Sequence, residues 1–402
     1  RHPRSLVPSR GLGDVYKRQI PTLHSGAVGG GLYHRHMTKV TVLPLLVALV
    51  VGCPRASEPP EPASGSPAPG GTVVVGELGD VMTWNPYLAE DETTVEILSL
   101  VYPSLAVEQV DYQLHPPSFA PGLATNWDWS DDHLELTFHL DERAVWSDGV
   151  PVTADDVVYS WQTQIDTAVA WPISSAKDFI AEVDALGPHS VRFRFARVYP
   201  YQLMDANEGL IIPAHAWREV PYERWREVDW RDRVVSAGPF QKVRHEPQQE
   251  LVLERYEDYW KPDRPYLKRV VWRPVPSRIS LVSQLLAGDL QVVNGVSPAD
   301  AERVRRAPGV DLEVFPDRGY SQVRWNVRRP LFADPAVRRA LSMAIDRNLI
   351  VEVVYHGYAK PAVGPVLSGM WAFNSNLESP PFDQDAARGI LAAAGWTDSD
   401  GD

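Results

Sequence analysis

Cysteine is almost absent: of 402 residues, one is a cysteine, Cys53. An internal disulfide framework is therefore excluded. Basic charge is short as well, with 39 Lys and Arg against 52 Asp and Glu and a net charge of -13. Residues 1–52 hold seven Lys or Arg and one acid, which leaves -19 for the remainder. A body so poor in cations cannot neutralise a phosphate backbone, so no nucleic-acid partner is expected. There is no H-E-x-x-H, and the close pair among the 11 His, His34 with His36, lies ahead of Met37, which argues against a protein-built metal site. There is also no G-x-S-x-G and no cysteine nucleophile other than Cys53. The acid pairs Asp131-Asp132 and Asp155-Asp156 fall in turn or helix-start contexts rather than in a catalytic setting. Neither a catalytic residue nor a cofactor is expected. The acidic "DSDGD" at 398–402 has the look of a calcium loop but not its twelfth-position acid, and reads as an Asp/Gly turn.

What is present is size and apolar content. At 402 residues and 44% hydrophobic, the protein can bury the cores of two or three domains. Fourteen Trp fit either a sugar- or peptide-binding cleft or a buried core, the commoner use of Trp.

The front end differs from the rest. From Met37 one lysine precedes an apolar run, Val40–Val51, too short for a comfortable membrane span and well suited to the h-region of a secretory signal. The run ends in Val50-Val51-Gly52-Cys53, which resembles a bacterial lipobox, so residues 37–52 read as a lipoprotein signal peptide and Cys53 as the lipidated residue. A cysteine consumed by lipid also accounts for an exported protein without disulfides. Residues 53–71, mostly Pro, Ser, Ala, Glu and Gly, read as an extended tether. Residues 1–36 precede the expected start at Met37, show neither periodicity nor signal character, and read as a non-native leader.

Beyond the tether the pattern is α/β. "TVVVGE" is a β-branched run bounded by glycine; "HLELTFHL" (133–140) and "SVRFRFA" (190–196) alternate apolar and polar residues; "ELVLERY" and "RVVWRPV" supply two more strands. In "VWSDGVPVTADDVVYSWQ" (145–162), Gly149 suits positive φ, and Thr153 with Asp156 forms a capping pair that starts a helix at Ala154. Val157, Trp161 and Ile165 should then face inward and Asp155, Asp156 and Gln162 elsewhere. Helices are expected at 280–289 and 297–309. Asp334 with Pro335 starts another, with Val337, Leu341, Ala344 and Ile345 on its apolar face. Asp346 caps a last one, in which Ile350, Val353 and Val354 face the core and Gly357 provides the exit.

Six ordered blocks, "GGTVVVGELGDVMTWNPYL", "FHLDERAVWSDGVPVTADDVVYSW", "SAGPF", "LLAGDLQVV", "RWNVRRPLFADPAVRRALSMAIDR" and "LAAAGWTDSDGD", resemble the peptide/nickel family of ABC-transporter solute-binding lipoproteins over about residues 71–402. The resemblance implies a two-lobed, type II periplasmic-binding-protein-like fold that closes on solute like a hinge. It puts the first lobe, with an extra subdomain, at 72–272 and the second at 273–402. Family members continue well past the Ala-Gly-Trp helix, so the second lobe is expected to be incomplete and the sequence to be truncated at its C-terminal end. Any aspartate that would pair with a peptide amino terminus is left unassigned.

The same resemblance implies a non-catalytic, monomeric receptor, lipid-anchored outside the cytoplasm in the periplasm or at the cell surface. It would bind a peptide ligand largely through its main chain and pass it to an ABC permease and its ATPase. A receptor for another solute, such as a metal chelate or an oligosaccharide, stays open within the fold. So do an exported hydrolase and a signalling receptor without a transport role. The candidate ligand residues are Thr83, Trp84 and Asn85 after the first strand, Tyr102, Gly238 in "SAGPF", and Trp325 with Asn326. Structural alternatives stand beside them: Asn85 before Pro86 suits a turn, Gly238-Pro239 a bend, and Trp325 a core position.

Overall fold

The computed structural model describes residues 68–111, 113–315 and 319–397. The leader, the signal peptide, Cys53, most of the tether and the "DSDGD" segment lie outside the described residues. No helix among the described residues is long and apolar enough to cross a membrane.

Among the described residues eleven strands follow in sequence order: β1 (Thr72–Glu77), β2 (Ala106–Glu108), β3 (Phe119–Pro121), β4 (Ala124–Trp129), β5 (Glu135–Leu140), β6 (Ile180–Gly187), β7 (Ser190–Phe195), β8 (Phe240–Glu246), β9 (Glu250–Arg255), β10 (Arg269–Pro274) and β11 (Val292–Val293). They make a five-stranded sheet of order β11-β1-β10-β9-β8, a four-stranded sheet β4-β5-β7-β6 and the pair β2-β3. In the large sheet β1 lies parallel to both β10 and β11, and β9 runs antiparallel to both β10 and β8. The parallel strands force the backbone to return through helices, which accounts for the α/β interleaving of the sequence.

Alternation works as expected in the smaller sheet. Leu136, Phe138 and Leu140 of β5 and Val191, Phe193 and Phe195 of β7 are buried. Phe138 meets Phe193 edge-on at 5.6 Å. Most tryptophans serve the core: Trp217, Trp225 and Trp230 pack as a cluster with ring centroids 4.2–5.6 Å apart.

The helix Ala154–Ile165 begins where the capping pair places it, with the Asp156 carboxylate accepting the Thr153 N–H at 2.8 Å. Its orientation corrects the sequence reading. Asp156 is buried and Ile165 is 44% exposed, while Tyr159, Ser160, Thr163 and Gln164 share the inner face with Val157. The cause is a polar network. Asp156 also accepts from the Ala214 N–H at 2.8 Å and from the Trp146 indole at 3.2 Å, and Ser160 Oγ accepts the Ile212 N–H at 3.0 Å. Fixed donors on neighbouring segments thus turn the helix polar side in. Asp156→Ala would strand those donors, each worth roughly 1–3 kcal/mol when buried and unpaired. Urea unfolding is expected to show a loss of about 2–3 kcal/mol, and a loss below about 0.5 kcal/mol would remove the network from the account of stability.

The turn before that helix joins the two sheets. Gly149 has φ +86°, as the tight turn requires. Ser147 N–H donates to the Ser236 carbonyl at 2.7 Å, Ser236 N–H returns a bond to Ser147 Oγ at 2.9 Å, and Tyr256 OH donates to the Trp146 carbonyl at 3.0 Å. This stretch holds scaffold together.

The helices after Asp334 and Asp346 keep their predicted starts but not their predicted faces. Asp334 caps Pro335–Met343 and Asp346 caps Arg347–Val353; the latter ends four residues before Gly357, the predicted exit, which takes φ +82°. The buried residues of Pro335–Met343 are Val337, Ala340 and Met343, the last two packed with Ala387, while Ala344 is exposed. Its partner, the helix Gln384–Ala393, meets it at Ala340 and Met343. Ile350, Val353 and Val354, expected in a core, are 41%, 61% and 60% exposed, because no described element covers them.

Candidate functional site

Open α/β sheets hold ligands in the crevice outside the carboxyl ends of their parallel strands. Here β1 and β11 end together, and the loop from Leu78 to Asp91 leads from β1 into the helix Glu92–Val101. Asp80 anchors that loop: its carboxylate accepts from the Val81 and Gln248 N–H groups, each at 2.7 Å. It also meets His245 Nε2 at 3.1 Å, in a pair whose side chains are only 3% and 5% exposed. On the other side of the imidazole, Trp84 Nε1 donates to His245 Nδ1 at 3.1 Å. An indole N–H can only donate, so Nδ1 is the acceptor and Nε2 carries the proton toward Asp80. Both nitrogens of His245 are thereby engaged, with no hydroxyl or thiol for them to activate.

Thr83, Trp84, Asn85, Tyr102 and Gly238 come together in this neighbourhood. Thr83 Oγ1 accepts the Asn85 N–H at 3.2 Å, and Asn85 Oδ1 accepts the Tyr87 N–H at 3.0 Å, an Asx turn across Pro86. Asn85 is fully buried, and its Nδ2 has no hydrogen-bond partner. Trp84 is 3% exposed, with Lys242 Nζ 5.4 Å from its ring centre. Tyr102 is fully buried, edge-on to Trp217 at 5.9 Å, with its OH 3.4 Å from the Trp84 carbonyl. Burial pushes the Tyr102 phenol well above its ordinary range. Gly238 N–H donates to the Val101 carbonyl at 2.7 Å, next to Tyr102. Trp325 and Asn326 lie on a separate stretch with local contacts: Trp325 packs on Phe332 at 5.2 Å, and exposed Asn326 accepts the Arg328 N–H at 3.1 Å.

Two buried acids outside the set expected from sequence flank this loop. Glu77, the last residue of β1, is 9% exposed, and Asn294 Nδ2 donates to it at 2.8 Å. Glu96, on the helix Glu92–Val101, is 4% exposed. Burial, then Glu77, then Glu92 push its carboxyl up to about 8. Two signals were available in the sequence: a charge closing the apolar run "VVVGE", and Glu92 with Glu96 as a like-charged i, i+4 pair, which ordinary helices avoid. His245 carried no signal, since its partners are 161 and 165 residues away. A separate open depression of about 430 Å³ on the large sheet is lined by Val243, Arg244, Val252 and Val271 among others, and by none of the predicted site residues.

Comparison with known proteins places these features in a family. The family model of bacterial extracellular solute-binding proteins, family 5 Middle, matches residues 118–402. The oligopeptide-binding protein AppA of Bacillus subtilis (strain 168) is 26% identical over 378 residues, covering 92% of this chain and 68% of that protein. Heme-binding protein A of Haemophilus influenzae is 26% identical over 305 residues, covering 71% of this chain and 56% of that protein. The solved structure of Bacillus subtilis AppA in complex with a nonapeptide superposes with a TM-score of 0.71 at 27% identity, over 84% of this chain and 66% of that one. The chain thus spans between about half and two thirds of the length of these relatives.

Proposed function

Since the chain belongs to the bacterial extracellular solute-binding proteins of family 5, we propose that it is a non-catalytic receptor that binds peptides at the carboxyl ends of β1 and β11 and delivers them to the permease and ATPase of an ABC importer. The observation that carries this reading is the likeness to nonapeptide-bound AppA across most of the sequence. The crevice geometry supports it: the loop after β1 is held rigidly by Asp80 and His245, which suits a site formed before its ligand arrives. Export and lipid attachment at Cys53 belong to the same proposal and rest on the residues from Met37 to Cys53.

A second reading, a receptor for a porphyrin or another non-peptide solute, is favoured by one observation. The heme-binding relative is as similar in identity as the peptide-binding one. Calorimetric titration of the purified protein with a neutral nonapeptide, a tripeptide and hemin discriminates between them. Peptide binding with a Kd in the micromolar range or tighter, about -8 kcal/mol or better, is expected. Hemin binding without peptide binding would replace the first reading by the second, and cleavage of the peptide would refute both. Expressed in a bacterium, the protein is expected to partition into detergent and the Cys53→Ala variant into water; equal partitioning of the two removes the anchor.

A further inference from the structure

Carboxylates stay out of protein interiors unless a cation or a full set of donors meets them. Glu77 and Glu96 depart from that rule together. Successive helical residues turn by about 100°, so Glu92 and Glu96 share a side of their helix that lies opposite the one carrying Thr94, Leu98 and Val101. Val74 of β1 and Leu78 just after it pack against the cluster around Leu281 and Leu290, which leaves Glu77 on the other face, where its charge acts on Glu96. The Glu96 Oε1 atom is buried and has no hydrogen-bond partner. The charges acting on Glu96 are Glu77 first and Glu92 second, all of one sign. Burial also raises the Glu77 carboxyl, with Glu92 adding to the effect and the Asn294 amide opposing it.

We propose that Glu77 and Glu96 form an acidic socket at the carboxyl ends of β1 and β11 that takes an ammonium or guanidinium group of the bound solute. The proposal rests on the solute-receptor reading and narrows it to cationic solutes, such as lysine- or arginine-bearing peptides. A cation there supplies the partner that Glu96 Oε1 lacks and turns mutual repulsion into attraction. Asn294, at the end of β11, fixes the Glu77 carboxylate from one side and so orients it for the ligand. No group of three His, Cys, Asp or Glu among the described residues has the geometry to hold a metal ion. An organic cation suits the pair better, because an ammonium can divide its three donors between two carboxylates and a further acceptor. At neutral pH the uptake is an exchange. The Glu96 carboxylic acid gives its proton to solvent as the ligand's ammonium, already charged, takes its place beside the carboxylate.

The test is isothermal calorimetry at neutral pH on the full-length protein, in two buffers of different protonation enthalpy. The probes are Ala-Lys-Ala and Ala-norleucine-Ala, which share termini and main chain and differ in one ammonium. The parent protein is expected to bind the lysine peptide at least about tenfold more tightly and to release close to one proton as it does so. Glu77→Gln and Glu96→Gln are each expected to bring the two peptides within about twofold of each other, and Glu96→Gln to abolish the proton release. Equal affinities in the parent, or a preference that survives both substitutions, overturns the socket. N-acetyl-Ala-Lys-Ala, which has no terminal ammonium, checks that the side chain fills it: proton release retained supports the socket, and release lost overturns it. n-Butylammonium separates the socket from the peptide reading. Its binding with proton release, absent in Glu96→Gln, supports the socket even where both tripeptides fail to bind. Failure of the amine and of the lysine peptide alike refutes it. Circular dichroism checks the fold of both variants, which lose a buried acid and are expected to melt no lower than the parent.

Discussion

In mildly alkaline solution, near pH 9, the Glu96→Gln protein is expected to be more stable than its parent by up to about 5 kcal/mol, whereas near pH 4 the two are expected to be equal. The Glu96 carboxyl is pushed up to about 8 from an ordinary 4.5, chiefly by burial and then by Glu77 and Glu92. A raised value means that the folded state holds the proton more tightly than the unfolded state does. The contribution of the protonated group is therefore fully present below about pH 4.5 and fades as pH rises toward about 8. Each unit of difference is worth about 1.4 kcal/mol, which sets the upper figure. Glutamine keeps the shape and carries no proton to lose, so its stability curve should be flatter through that window. Urea midpoints across the window measure the difference, and parallel curves for the two proteins would show that Glu96 does not titrate as described. Such a cost, retained in a protein that glutamine would stabilise, is what a binding site imposes on its scaffold.

Gly238→Ala is expected to unfold the protein or to lower its stability by about 3 kcal/mol or more. A Cβ at this position would stand 2.7 Å from the carbonyl carbons of Leu100 and Val101 and closer still to the Leu100 oxygen. Those atoms are main chain at the end of the helix Glu92–Val101, so no side-chain rotation relieves the overlap. Separating the segments would also break the bonds from the Ala237 and Gly238 N–H groups to the Val101 carbonyl, at 3.1 and 2.7 Å, and shift Ser236, whose hydroxyl donates to the same carbonyl at 2.7 Å. The strain would then pass through Ser236 to Ser147 and the turn that joins the sheets. A substitution at Gly364, where a Cβ meets nothing within 4 Å, serves as the control and should be nearly silent. A Gly238→Ala protein with an unchanged denaturation midpoint would mean that the close approach does not exist in solution.

The sequence by itself determined where several helices begin. Thr153 with Asp156, Asp334 with Pro335, and Asp346 act through neighbours within three residues, and each appears where its local chemistry puts it. Strand alternation in β5 and β7 was legible for the same reason, since side chains alternate whatever lies across the sheet. Its single cysteine excluded an internal disulfide framework in the same way, by count alone.

Tertiary structure alone decided which helix face turns inward and which groups meet at the crevice. Asp156 points in because Ala214 and Trp146 bring donors to it from 58 and 10 residues away, and Ile165 stays out because that face has no apolar partner. Asp80, His245 and Trp84 meet only because β8 lies in the same sheet as β1. Glu77 and Glu96 had no reading from the sequence, and their burial, with the charge of one acting on the other, is a property of the fold. Local hydrogen bonding is a property of short stretches of backbone, whereas burial and electrostatic coupling depend on what the rest of the fold places alongside.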